Sequence, residues 1–255
     1  MKHVVITGST RGIGYGLAME FLKAGCKVTI NGTTQESVDK ALINLQEYIP
    51  DNVIGFPARV EKLDDVEKLW DYSQKHFGMV DIWINNAGID QERKLFWEMG
   101  QAEYEKVIRT NLLGVLNGSN VAFRHMLEYG SGQIFNMEGF GSNGMMREKM
   151  TIYGTSKSAI SYFTRSLALE AKNTNVKVGT LSPGMVATDF LRKSLDEQNR
   201  KIYNILGDKV EPVTQFLAKR VLENQKNGAN IQWLTKPKVM WRFMSSSFVK
   251  RDIFN

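Results

Sequence analysis

The stretch that most constrains this chain runs from His3 to Leu22. His3-Val4-Val5-Ile6-Thr7 is a short apolar, β-branched run, Gly8-Ser9-Thr10-Arg11-Gly12-Ile13-Gly14 follows at once, and Leu17-Ala18-Met19-Glu20-Phe21-Leu22 continues at helical spacing. A buried strand, a glycine turn and a helix start, in that order, form a phosphate site. Glycines let the backbone approach a pyrophosphate with no Cβ in the way. The helix start offers unpaired N–H groups and the positive end of its dipole. The glycine spacing is not G-x-G-x-x-G, and no Gly-Lys-Ser/Thr of a P-loop follows. A tight turn with no ligand would read the same, so the rest of the chain must decide.

Downstream, strand-like runs at 27–31, 53–56, 80–84, 133–137 and 176–181 alternate with helical patterns at 35–48, 63–77, 103–127 and 152–172. Such alternation predicts an α/β fold: a Rossmann-like, doubly wound parallel sheet of about seven strands with helices on both faces. Its ligand belongs at the C-terminal ends of the strands, near the switch point. The chain has 255 residues, enough for a single domain spanning 1–255 with a sizeable core.

Composition excludes more than it proposes. Five prolines and no low-complexity run argue against disorder. The net charge of +6 comes from Lys and Arg scattered among Asp and Glu, which reads as a solvated surface rather than a nucleic-acid face. Cys26 is the single cysteine, so no internal disulfide can form and a reducing, cytoplasmic setting is expected. The first strand begins at once, so no signal peptide is expected, and no run approaches a membrane span. His3, His76 and His125 are scattered, so no metal site is visible, and the Gly-x-Ser-x-Gly elbow of a hydrolase is missing.

The second strand bears on the cofactor. An acid near its end would hold the ribose 2′-hydroxyl of NAD. Here Gly32 takes that place, followed by Thr33 and Thr34, and no Asp or Glu occurs between Glu20 and Glu36. Arg11, inside the glycine turn, can meet a 2′-phosphate. An absent carboxylate with a present cation favours NADP(H) over NAD(H).

Tyr153-Gly154-Thr155-Ser156-Lys157 is the second strong signal. Residues i and i+4 share a helix face. A free tyrosine, with pKa about 10, is a poor proton shuttle at neutral pH. A cation one turn away is expected to favour the phenolate and lower that pKa. The pair can then exchange a proton with an oxygen while hydride moves at the adjacent carbon.

Together, Thr7-Gly8-x-x-x-Gly12-x-Gly14, Asn85-Asn86-Ala87-Gly88, Asn111, Tyr153-x-x-x-Lys157 and Ser182-Pro183-Gly184 resemble the short-chain dehydrogenase/reductase family over nearly the whole chain. The resemblance implies an oxidoreductase acting on CH–OH and C=O groups of a small carbonyl or alcohol substrate, working as a homo-dimer or homo-tetramer. It makes Tyr153 the acid/base, gives Lys157 the ribose hydroxyls and the tuning of Tyr153, and has Asn111 order a water in the proton relay. Cofactor contacts would come from Gly8, Ser9, Thr10, Arg11, Gly12, Ile13 and Gly14, then from Thr33, Thr34, Arg59 and Val60. Asn86, Ala87, Gly88, Asn111, Tyr153 and Lys157 would add to them, and Pro183, Gly184, Val186 and Thr188 would line the nicotinamide. A non-catalytic NADP-binding sensor is the competing class, and an inactive member of the family is the bland alternative.

One departure stands out. The family usually carries a serine two or three residues after the asparagine of its fifth strand, to hydrogen-bond the substrate oxygen. Here Asn136 is followed by Met137-Glu138-Gly139-Phe140-Gly141-Ser142, so Gly139 falls there, with Ser142 or Glu138 as substitutes. Residues 135–142, 81–88 and 182–186 resemble the corresponding stretches of chlorophyll b reductases, which reduce a 7-formyl group to hydroxymethyl. That resemblance points to a chlorophyll-type pigment, and so to chlorophyll degradation, or else to another large apolar carbonyl; the alternative is a generic reductase of small ketones. Met145, Met146, Met150 and Met185 flank the proposed site. The tail, 237–255, sets Val239, Met240, Trp241, Phe243, Met244 and Phe248 among Lys238, Arg242, Lys250 and Arg251. Such a basic amphipathic helix can lie on a membrane surface, the core or a partner subunit.

Overall fold

A computed structural model describes every residue except 193–196, 247, 249, 250 and 255, and the backbone alone for 190, 192 and 197–199. In chain order the elements are β1 (His3–Ile6), α1 (Gly12–Lys23), β2 (Lys27–Gly32), α2 (Gln35–Gln46), β3 (Val53–Pro57), α3 (Leu63–Phe77) and β4 (Ile82–Asn85). Next come α4 (Gln101–Ile108), α5 (Gly114–Tyr129), β5 (Gly132–Met137), α6 (Thr151–Glu170), β6 (Val176–Ser182) and β7 (Met185–Val186). The chain continues with α7 (Asp189–Arg192), α8 (Glu197–Leu206), β8 (Gly207–Asp208), α9 (Val210–Glu223), β9 (Ala229–Gln232) and α10 (Lys236–Ser245).

Seven strands form one parallel sheet in the order β3-β2-β1-β4-β5-β6-β9. The order reverses between β1 and β4, so their C-terminal ends open the crevice where ligands of such sheets bind. Side chains alternate across each strand. Val4, Ile6, Ile82 and Ile84 pack with α1, α2 and α9 on one face, and Val5, Trp83 and Ile134 with α3 and α5 on the other. The seventh strand, β9, is not evident from the sequence, because Ala-Asn-Ile-Gln is half polar and buries Ile231 alone.

The segment 103–127, which reads as one helix, is divided. A π-helical turn at Arg109–Leu113 joins α4 to α5 and carries the fully buried Asn111. The wider turn shifts the register of side chains around Asn111, a device frequent at functional sites.

The tail forms α10, and Arg242 ties it to the core through Asp208. Met240, Trp241, Phe243, Met244 and Phe248 remain exposed. Lys250 lies outside the described residues. Among the described residues no helix is long and apolar enough to cross a membrane.

Candidate active site

The glycine turn is held by short polar side chains from three strand ends. Thr7 Oγ1 accepts from the N–H groups of Asn86 and Ala87, both at 3.0 Å. The Asn86 amide donates back to the carbonyls of Thr7 at 2.9 Å and Gly8 at 3.0 Å. Asn31, buried at the end of β2, accepts from Gly8 N at 3.1 Å and donates to the carbonyls of Gly32, Phe56 and Ala58, each at 3.1 Å. Ser9 Oγ accepts from Asn31 N at 2.9 Å and donates to Ile6 O at 2.6 Å. Gly8 has φ +60°, and a Cβ on it would stand 2.7 Å from Ala87 Cα. The turn therefore packs directly on the Asn86-Ala87 backbone. No acceptor among the described residues takes the N–H groups of Gly12, Ile13 or Gly14. Free donors at the positive end of α1 suit a pyrophosphate.

At the β2 end, a Cβ on Gly32 would stand 2.6 Å from Ser37 Oγ and 2.7 Å from Thr10 Cγ2. An acidic side chain there would have to displace the Ser37 hydroxyl and the Thr10 methyl. Thr34 caps α2, accepting from Ser37 N at 3.3 Å. Arg11 is exposed and makes no ion pair among the described residues. Arg59 pairs with Glu61 at 2.7 Å. Val60 is buried, and its carbonyl accepts from Asn117 Nδ2 at 2.9 Å.

At the opposite end, Tyr153 and Lys157 sit on α6, both buried, with the Lys157 ammonium 5.9 Å from the centre of the Tyr153 ring. Lys157 Nζ donates to Met137 O at 3.0 Å. Burial pushes the Lys157 pKa down to about 8, with Glu138 opposing. Burial, aided by Asp90, pushes the Tyr153 hydroxyl well above its ordinary range, against Arg93. This is opposite to the direction expected from the spacing alone: the cost of burying a phenolate dominates, and the opposing cation is Arg93 rather than Lys157.

Asn111 spends both amide N–H groups and one lone pair: its Oδ1 accepts from Ile89 N at 2.8 Å, and its Nδ2 donates to Ile89 O at 2.9 Å and Ser156 Oγ at 3.3 Å. The residues around Gly139 have tasks of their own. Ser142 Oγ accepts from Gly139 N and donates to Lys157 O, both at 3.1 Å. Glu138 accepts from Ser161 at 2.7 Å and from Ser182. Neither side chain is placed as a ready substitute for the absent serine. A Cβ at Gly139 would lie 2.5 Å from the Tyr153 hydroxyl. Of the flanking methionines, Met150 is buried, while Met145 and Met146 are exposed.

Three functional positions have little sequence signal. Gln91 is buried; its side chain accepts from Tyr153 N at 2.7 Å and donates to Lys149 O at 2.9 Å, fixing the start of α6. Nothing local in the sequence marks it. Asn31 is a polar residue ending an apolar strand, a signal that could have been read. Asp208 is the third. Its backbone pairs with Val186, in the strand that follows Pro183 and Gly184, and Thr188 Cγ2 would lie 3.5 Å from a Cβ on Gly12.

Residues 2–199 match the short chain dehydrogenase family, and the chain belongs to that family of NAD(P)-dependent oxidoreductases. It is 32% identical over 262 residues to the probable chlorophyll(ide) b reductase NYC1 of Arabidopsis thaliana, covering 96% of this chain and 53% of that protein. It is 38% identical over 225 residues to the chlorophyll(ide) b reductase NOL of the same plant, covering 86% and 65%. The chain thus spans between half and two thirds of these relatives. Among solved structures, a 3-ketoacyl-(acyl-carrier-protein) reductase from Brucella melitensis complexed with NADH superposes with TM-score 0.83 at 22% identity, covering 93% and 98%. ElxO with NADP bound superposes at 0.80 with 27% identity, covering 94% and 99%.

Proposed function

We propose that the chain is an NADPH-dependent reductase of a large, largely apolar carbonyl compound, with the formyl group of chlorophyll b or chlorophyllide b the first candidate. The observation that carries this reading is the buried Tyr153–Lys157 pair on α6, with the Lys157 ammonium 5.9 Å from the centre of the Tyr153 ring, together with the unfilled N–H groups of the glycine turn. At Gly139 the Tyr153 hydroxyl and the Lys157 stem take the space that a side chain would fill, which leaves Tyr153 as the donor to the carbonyl oxygen where the family has a serine beside it. The relatives named as chlorophyll(ide) b reductases support the same substrate class.

The residues present suit a dinucleotide. The free N–H groups of Gly12, Ile13 and Gly14 would hold the pyrophosphate. Two of the three Lys157 ammonium N–H groups remain beyond the bond to Met137 and would hold ribose hydroxyls. Bound NADPH supplies the hydride. Tyr153, kept protonated by burial, gives its hydroxyl proton to the carbonyl oxygen as negative charge gathers there. The phenolate left behind is stabilised by the Lys157 ammonium and regains a proton from solvent. Gln91 holds the backbone of Tyr153, and so the direction from which the proton comes.

Preference for NADPH rests on the closed space at Gly32 and on the Arg11 guanidinium. NADPH should bind at least tenfold tighter than NADH, about 1.4 kcal/mol, and Arg11→Ala should remove most of that difference while leaving NADH nearly unchanged. Equal affinities in a titration of the native chain would overturn the preference. The substrate is tested by NADPH oxidation with chlorophyll b and a panel of small aldehydes. Turnover of the small aldehydes with no hydroxymethyl product from chlorophyll b would leave a generic reductase. The exposed apolar face of α10 is, in the same reading, the surface offered to a lipid bilayer, and co-sedimentation with vesicles tests it. Tyr162 and Leu169, exposed on α6, are the proposed contact between copies of the chain, tested by sedimentation of Leu169→Glu.

A further inference from the structure

The buried carboxylate of Asp208 joins three parts of the molecule that are distant in sequence. Its backbone belongs to the cofactor side of the crevice: Val186 pairs with Asp208, and Ala187 N donates to Asp208 O at 2.8 Å. Thr188, the next residue, faces Gly12 of the glycine turn. Its side chain belongs to the C-terminal region. Trp233 Nε1 donates to it at 2.6 Å. Arg242 forks across both oxygens at 2.8 Å, and Arg251 adds a contact at 2.8 Å. The same two arginines donate to Leu206 O at 2.7 Å and Ile205 O at 2.9 Å, at the negative end of α8. Lys238 lies over the Trp233 ring at 3.0 Å from its centre, and Phe216 meets that ring edge-on at 5.4 Å. One carboxylate thus receives two guanidinium groups and an indole, and its own peptide carries the strand beside the crevice.

We propose that Asp208 is a positioning residue for dinucleotide binding, and that the C-terminal tail sets cofactor affinity by clamping it. Arg242 and Arg251 hold Asp208, Asp208 holds Ala187, and the Val186–Thr188 backbone is thereby kept against the glycine turn. The proposal rests on nicotinamide-dinucleotide binding in this crevice and on no particular substrate. A buried carboxylate that loses one of two arginines is left under-compensated, so each arginine should matter by itself.

The test measures dinucleotide affinity, by NADPH fluorescence, on the full chain carrying Arg242→Ala, Arg251→Ala or Arg242→Lys. Loss of either arginine should weaken NADPH binding about tenfold and raise the KM for NADPH. The kcat at saturating NADPH should stay within threefold. Arg242→Lys keeps the charge but not the fork, and should recover part of the loss. Should Arg242→Ala fail to fold, the more exposed Arg251 supplies the same measurement. Affinity within twofold of the native chain in a folded Arg251→Ala variant would overturn the proposal. Hydrogen exchange at the Ala187 amide separates this test from the functional reading. That amide should exchange slowly in the native chain and at least tenfold faster in either alanine variant, even if no dinucleotide binds. Unchanged exchange would also overturn the clamp.

Discussion

The glycine turn and the C-terminal clamp meet where Gly12 faces Thr188, yet they are built in opposite ways. The turn is held by neutral amides and hydroxyls from Thr7, Ser9, Asn31 and Asn86, all short side chains at strand ends, bonding mostly to backbone. Each such bond contributes about 1 kcal/mol, and the loss of one leaves the others in place. The clamp gathers one carboxylate, two guanidinium groups and an indole at a single point. A buried charged cluster is strong when complete and costly when a member is removed. Distributed neutral bonds make a rigid floor for the pyrophosphate, and a charged node makes a wall whose position hangs on the tail.

The reacting group between the two regions sets the scale against which both are judged. Tyr153→Phe keeps the ring and removes the proton, so turnover should fall about 10²–10⁴-fold with NADPH affinity within twofold. A variant retaining more than about a tenth of native turnover would place the proton donor elsewhere. Next in size is Gly8→Ala, aimed at the floor. The left-handed φ and the contact with Ala87 Cα should together lower unfolding stability by about 2 kcal/mol or more. Urea denaturation reads that loss. A near-neutral result would show that the turn yields more readily than its bonding implies.

Lys157 gives a pH test. Its pKa is depressed to about 8, so the ammonium is present below pH 8 and lost as pH rises through it. Without that charge the Tyr153 phenolate is uncompensated. The kcat/KM for carbonyl reduction should therefore fall above pH 8, reaching roughly tenfold below its plateau one unit higher. A profile flat to pH 10 would show that Lys157 remains charged in the working enzyme. The smallest effect is expected from Ser142→Ala. Its hydroxyl braces the Gly139 loop on Lys157 O, so the variant should lose about 1 kcal/mol of stability and keep turnover within threefold. A tenfold fall in turnover at unchanged stability would instead make Ser142 a substrate donor.

Much of the fold was legible because periodicity and turn chemistry are local. The run 63–77 reads as a helix from its apolar spacing, and α3 has those limits, with Asp64 and Asp65 in its first turn and Gly78 at φ +77° ending it. The strand alternation likewise foretold a doubly wound sheet. The edge strand β9 and the π turn at Asn111 were not legible, since one is too short and polar and the other is a change of register within an unbroken helical pattern.

By itself the sequence determined the βα alternation, the glycine turn and the placing of Tyr153 one helical turn from Lys157, because each depends on residues a few positions apart. Only the tertiary structure decided the rest. Burial by distant elements raised the Tyr153 pKa, with Asp90 adding to it and Arg93 opposing. Gln91, from 62 positions away, fixed the backbone of Tyr153. Asp208 met Arg242 and Arg251, 34 and 43 positions on. Desolvation and long-range charge pairing depend on what surrounds a group in space, and no local spacing carries that information.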